Sequence, residues 1–111
     1  MLTYNIKQNF PSVEEALANL DLALEEAKAQ NAKVIKIIHG YGSGGTGGAI
    51  IRELSNLLPQ MIRQKKIKDY IRGGSWNMAN PKVFEIITKN PSCLPDEDLN
   101  GANIGITVLV L

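Results

Sequence analysis

Six glycines fall within nine residues, at positions 40, 42, 44, 45, 47 and 48, directly after the chain's densest β-branched run. That juncture limits what the chain can become. Upstream, residues 33–38 (KVIKII) carry Val or Ile at four of six positions, the pattern of a strand buried on both faces. Downstream, Ile50, Ile51, Leu54, Leu57 and Leu58 recur at helical spacing. Glycines without a Cβ let backbone N–H groups come close to a ligand, and a helix start adds partial positive charge. Both favour an anion such as phosphate. A tight turn needs one glycine, so six predict an anion-binding loop. The only histidine, His39, stands at its entrance.

The remaining elements follow from local signals. Residues 2–6 (LTYNI) alternate weakly and read as a short strand. Ser12 with Glu15 three residues on forms a capping box after Pro11. A helix from 13 to about 30 then places Val13, Ala16, Leu17, Leu20, Leu24 and Ala27 on one stripe. The helix after the glycines is expected to stop near Leu58, because Pro59 cannot donate a helical hydrogen bond. A short helical turn follows, then a third strand over 68–72. Residues 75–103 are the irregular part. Within them, Asn80-Pro81 caps a short helix over 82–89 with Val83, Phe84 and Ile87 facing the core. Trp76 also reads as packing. Pro91, Pro95 and the acidic run 95–98 read as a surface loop, and Asn100-Gly101 as a turn. The apolar end, residues 105–111, is a buried final strand. The order is β-α-β-α-β-(α)-β in a single domain over 1–111, with a mostly parallel mixed sheet whose last strand is free to run antiparallel.

Composition excludes several classes. A single cysteine, Cys93, rules out an internal disulfide and a cysteine-based metal cluster. One histidine and no tight acidic cluster outside 95–98 leave no metal site. No stretch has membrane-spanning length, and no signal-peptide pattern opens the chain, so a cytoplasmic protein is expected. The net charge is only +1, yet the charges are segregated. Five of the 12 basic residues are Arg63, Lys65, Lys66, Lys68 and Arg72, and five of the 11 acids are Glu14, Glu15, Asp21, Glu25 and Glu26 on the first helix. The basic group reads either as a solvated surface or as a nucleic-acid edge.

Gly40-Tyr41-Gly42-Ser43-Gly44-Gly45 fits the dinucleotide pattern G-x-G-x-x-G literally. The next strand, however, ends in Arg72-Gly73-Gly74 rather than in a ribose-binding acid, and too little chain remains for a second nucleotide-binding half. A P-loop would need a lysine at the helix start, where Gly45-Thr46 stands. Neither nucleotide reading survives, and no cofactor is expected.

SVEEAL, then VIKIIHGYGSGGTGGAIIREL, then a short apolar final strand resembles the Smr (small MutS-related) domain over most of the chain, its His-Gly-x-Gly being His39-Gly40-Tyr41-Gly42. The resemblance implies a two-layer α/β sandwich like the C-terminal domain of bacterial translation initiation factor three, and nucleic-acid binding, with nicking or ribonuclease activity in several members. The Leu-Asp-x-His common on the first strand is here Ile6-Lys7-Gln8-Asn9, and the basic residue common within the motif is Tyr41. The fold therefore carries over better than the catalysis. Nucleic acid, DNA or RNA, is the expected partner, bound through Lys36, His39, Gly40, Tyr41, Gly42, Gly44, Gly45, Arg52, Arg63, Lys65, Lys66, Lys68 and Arg72. His39 is the one candidate acid–base group, with glycine amides and Arg52 or Lys36 stabilising phosphorane-like charge. Tyr41 would either stack on a base or lie against the neighbouring helix. Lys36, the one charge within its strand, is expected near the accessible side, where Lys36→Asp would be mild. The alternative function is a protein-interaction or scaffolding domain that kept the fold without nuclease activity.

Overall fold

The computed structural model describes residues 1–41 and 47–111. Strands β1 (Leu2–Asn5), β2 (Val34–Ile38), β3 (Asp69–Arg72) and β4 (Ile106–Val110) form one sheet in the order β1-β2-β4-β3. Helices α1 (Val13–Ala29), α2 (Gly47–Arg63) and α3 (Pro81–Lys89) complete an α/β fold. β1 runs parallel to β2, and β4 runs antiparallel to both β2 and β3. The sheet is mixed rather than mostly parallel, because the last strand inserts between β2 and β3. Its composition explains the position. Ile106, Thr107, Val108 and Leu109 are all buried, and an apolar strand gains most where both its faces are covered.

The capping signals form as expected. Ser12 Oγ accepts from the Glu15 N–H at 3.1 Å while Glu15 Oε1 accepts from the Ser12 N–H at 3.3 Å, closing the first turn of α1. Asn80 Oδ1 accepts from the Lys82 N–H, and Pro81 sits in the first turn of α3. Two expectations fail. α2 runs straight through Pro59 to Arg63. The helix loses one hydrogen bond there, at a cost of ~3 kcal/mol, but continuing it buries Met61 beside Leu54 and Leu58 and half-buries Ile62. Phe84 also turns out of the core, 57% exposed, because the buried edge of α3 is Val83 and Ile87.

Both sheet faces are covered, which makes three layers rather than two. On one face Ile35, Ile37 and Leu109 pack with Leu20 and Leu24 of α1 and Ile50, Leu54 and Leu58 of α2. On the other, Val34, Ile106 and Val108 meet Trp76, Val83, Ile87 and Cys93 from α3 and its flanking turns. The irregular stretch is thus a second layer folded over the sheet.

Lys36 lies beneath that layer, and its expected accessibility is corrected. The residue is 3% exposed, and its Nζ donates to Asp96 Oδ1 at 2.7 Å and Asp98 Oδ2 at 2.6 Å. Asp96 Oδ2 also accepts from the Trp76 Nε1–H, and Asp98 Oδ1 from the Asn103 amide. The acidic run is therefore an internal counter-charge, not a loose surface loop. Burial disfavours the charged Lys36, but hydrogen bonds and charges from both aspartates win and raise its pKa above 10.5. Burial likewise pushes Asp98 up, and hydrogen bonds from Asn103 and Lys36, with the Lys36 charge, leave it below 3.8.

Removing the ammonium would strand two carboxylates, so Lys36→Ala should lose ~3–5 kcal/mol in denaturant melts. Lys36→Asp should be worse, not mild. For the depressed Asp98, stability is complete above about pH 3.8 and is lost as pH falls through the lower folded value; for the raised Lys36, it is complete below about 10.5 and lost above it. Melting temperatures that moved with this network anywhere between pH 5 and 9, judged by comparison with Lys36→Met, would contradict the assignment.

Candidate nucleic-acid interface

β1 and β2 run side by side and end together, with Asn5 paired to Ile38. Extending that register two residues sets Lys7 opposite Gly40. A Cβ at Gly40 would lie 2.8 Å from Lys7 Cδ, so the lysine stem crosses the glycine directly. Gly40 also has φ +79°, a left-handed conformation that disfavours any side chain. The N–H groups of His39 and Gly40 both donate to the Gly105 carbonyl at 3.0 Å, tying the corner to the entrance of β4. Lys7 is not among the binding candidates that the sequence suggests, although the parallel register alone brings it here.

His39 is wholly buried under this corner. Its Nδ1 lies 3.0 Å from the Gly40 carbonyl oxygen, which only accepts, so Nδ1 carries the proton. Nε2 lies 2.9 Å from Thr107 Oγ1, whose hydroxyl can donate to its lone pair. Burial lowers the imidazole pKa below 6.5; hydrogen bonds to the Gly40 and Ile106 backbone oppose this, and the Arg72 charge adds to it. The ring is neutral at pH 7, and both nitrogens are spent inside the protein. A carbonyl, not a carboxylate, orients it. Thr107, 68 residues away in sequence, left no local signal beyond being polar in an apolar strand.

The other candidates divide between two ends of α2. Arg52 is exposed on the half of the helix nearer the glycine loop. Arg72 sits at the same end of the sheet as His39, half-buried, its Nη1 donating to Ser55 Oγ at 2.7 Å. Arg63, Lys65, Lys66 and Lys68 are exposed at the far end, where Lys68 N–H donates to the Val110 carbonyl. From Arg52 to Arg63 α2 rises about 16 Å, and from Lys68 to Arg72 the chain spans at most about 14 Å. The basic residues are thus spread along α2 and β3 rather than gathered at the glycine corner. Lys36 belongs to neither, being consumed by Asp96 and Asp98 on the opposite sheet face. Tyr41 is 61% exposed, and its ring lies over Gly105. Gly42, Gly44 and Gly45 lie outside the described residues. Among the described residues no cluster of His, Cys, Asp and Glu suits a metal ion, and no helix is long and apolar enough to cross a membrane.

The Smr domain family model matches residues 10–79, well over half of the chain. The chain belongs to the Smr domain family. This is a family generally associated with nucleic acid and nuclease chemistry. The match runs from the start of α1 past β3, so β1 with Lys7, and α3 with β4, lie outside it. No curated protein and no solved structure matches the chain. The Smr motif residues His39 and Gly40 therefore sit in a corner whose supporting groups, Lys7, Gly105 and Thr107, come from beyond the matched segment.

A structural histidine has a distinct signature. His39→Ala should lower stability by roughly 1–3 kcal/mol, since it removes a buried ring and orphans the Thr107 hydroxyl. Because the folded pKa lies below the unfolded 6.5, the wild type should keep its full stability above that pH and lose some as pH falls beneath it. A histidine NMR titration midpoint at or above 6.5 would refute the buried neutral ring.

Proposed function

We propose that this Smr domain binds the phosphate backbone of nucleic acid at the end of the sheet where β1 and β2 finish, and cleaves it weakly or not at all. The observation that carries the binding reading is Lys7 lying across Gly40. It sets an ammonium beside a main-chain corner that, with Arg52 on α2, leads into the glycine-rich segment. Lysine acts here as a point charge on phosphate, and the missing Cβ of Gly40 leaves room for its stem to cross the corner. Arg63, Lys65, Lys66 and Lys68 then form a second contact. The roughly 16 Å between Arg52 and Arg63 corresponds to about five steps of a duplex strand, so one nucleic acid long enough to lie along α2 meets both groups.

The same geometry argues against efficient cleavage. A general base needs a free lone pair within reach of the nucleophile. His39 Nε2 is occupied by Thr107, the ring is buried, and Lys7 stands where the family's first-strand acid would be. A protein-interaction domain retaining the fold is the competing reading, and salt separates the two. Backbone binding weakens steeply with salt, and each phosphate neutralised by the protein adds close to one unit to the slope.

Titration of single-stranded RNA and duplex DNA at several salt concentrations tests this directly. Lys65→Ala/Lys66→Ala and Lys7→Ala/Arg52→Ala should each weaken binding across sequences and flatten the salt slope by about two. Slopes that match the wild type would return these residues to an ordinary solvated surface. In a single-turnover nicking assay the wild type should remain near background. Robust cleavage abolished by His39→Ala would overturn the structural reading of the histidine.

A further inference from the structure

Two aromatic rings at this end of the sheet are exposed in ways that packing does not explain. Phe10 is 100% exposed. Full burial of a phenyl ring is among the larger gains available to a chain this size, and here none of it is taken. Its backbone is also unfavourable. Asn9 and Phe10 are both left-handed, with φ of 65° and 52°. A bulky side chain rarely adopts that region, and the following Pro11 biases its predecessor toward extended conformations. The chain thus holds Phe10 in a strained pose that presents the ring to solvent. Strain of this kind is concentrated at functional sites.

The second ring is Tyr41. It is 61% exposed yet placed, since a Cβ at Gly105 would lie 3.3 Å from its Cε1 and Cζ. Gly105 therefore leaves room for the ring, and its carbonyl anchors the backbone on which Tyr41 stands. Lys7 is close to both aromatics: it crosses Gly40, the neighbour of Tyr41, and at most about 11 Å of chain separates it from Phe10. A cation with two exposed aromatics close by offers partners to both groups that alternate along a single strand, phosphate and base. Base–aromatic stacking tolerates any sequence because every base has a π-face, whereas a duplex keeps its bases stacked on each other.

We propose that Phe10 and Tyr41 form a stacking platform for unpaired bases, with Lys7 on the intervening phosphate, so that this domain prefers single-stranded to duplex nucleic acid. The proposal rests on the nucleic-acid reading above and adds the structural class of the substrate and the residues that select it. It predicts a preference that charge alone would not produce, since a duplex offers the denser array of phosphates.

The test uses the full chain and fluorescently labelled oligo(dT), oligo(U) and a duplex of equal length, titrated at several salt concentrations. The wild type should bind the single strands more tightly than the duplex. Phe10→Ala and Tyr41→Ala should each weaken single-strand binding about tenfold, leave duplex binding unchanged and leave the salt slope unaltered, because every cation that meets phosphate is still in place. Phe10→Trp should retain binding, and its indole emission should be quenched by oligo(dT), with the wild-type protein, whose Trp76 is buried, as the baseline. Phe10→Gly controls for folding: relief of the left-handed strain should leave its melting temperature equal to or above that of the wild type while single-strand binding falls. Single-strand affinity unchanged in both alanine variants overturns the platform and leaves the rings to a protein contact. A wild type that binds none of the three probes, or binds them without salt dependence, defeats the nucleic-acid reading itself. That outcome is distinct from salt-dependent binding that ignores the aromatics.

Discussion

A lysine ammonium in the middle of a buried central strand has to be neutralised before anything can be built over it, and the second half of this fold is arranged around that requirement. Lys36 occupies a position of β2 where its neighbours Val34 and Ile38 pack against α3 and its turns. An unpaired charge there would cost several kcal/mol. Asp96 and Asp98 supply the counter-charge, and each is tied further into the layer, Asp96 by the Trp76 indole and Asp98 by the Asn103 amide. Asn103 in turn accepts from the Gly105 N–H, and the Gly105 carbonyl receives the two amides of the His39 corner. A chain of hydrogen bonds therefore runs from the buried ion pairs, through the knuckle that opens β4, to the corner on which the candidate interface stands. Such networks are costly when half satisfied and specific when complete. Here each charged member has a partner.

That linkage gives the segment beyond the matched Smr region a role that its irregular composition conceals. Residues 76–105 cover a sheet face, neutralise a charge and deliver β4 into the space between β2 and β3. β4 supplies Thr107 to the histidine from one face and Ile106 and Val108 to the second core from the other. A single strand placed centrally thus serves both cores at once.

Much of this was legible in the sequence, and what was not has a common physical cause. The capping box of Ser12 and Glu15, the Asn80-Pro81 start and the β-branched runs at 34–38 and 106–110 are local patterns, and each element formed where they put it. Pro59 misled because its local cost is visible while the burial of Met61 that offsets it is a tertiary effect. Lys36 misled for the same reason: its partners lie 60 and 62 residues downstream, in a run that looks like any solvated acidic loop. The basic residues from 63 to 72 read as one patch because they are close in sequence, but a turn and a strand carry Arg72 back to the opposite end of the sheet. Lys7 is the one residue whose place could have been extrapolated, since a parallel β1–β2 pair ending in register sets it on Gly40.

The buried histidine sets a structural duty against a catalytic one. A base in phosphoryl-ester cleavage must offer a lone pair to a hydroxyl or water and later give the proton up. A ring that shapes a corner must instead hold one tautomer, because its Nδ1–H has to keep meeting the Gly40 carbonyl while Nε2 keeps meeting Thr107. The two duties compete for the same nitrogen. Lowering the pKa by burial serves the structural duty, since protonation would replace the acceptor at Nε2 with a donor and force the Thr107 hydroxyl to find another partner in a dry site. With Lys7 rather than a carboxylate on the neighbouring strand, the charged ring is favoured by hydrogen bonds to the Gly40 and Ile106 backbone, and burial together with the positive charge at Arg72 outweighs them. On the proposed reading the histidine keeps the loop entrance in shape, and the recognition of a ligand passes to the residues that the corner displays.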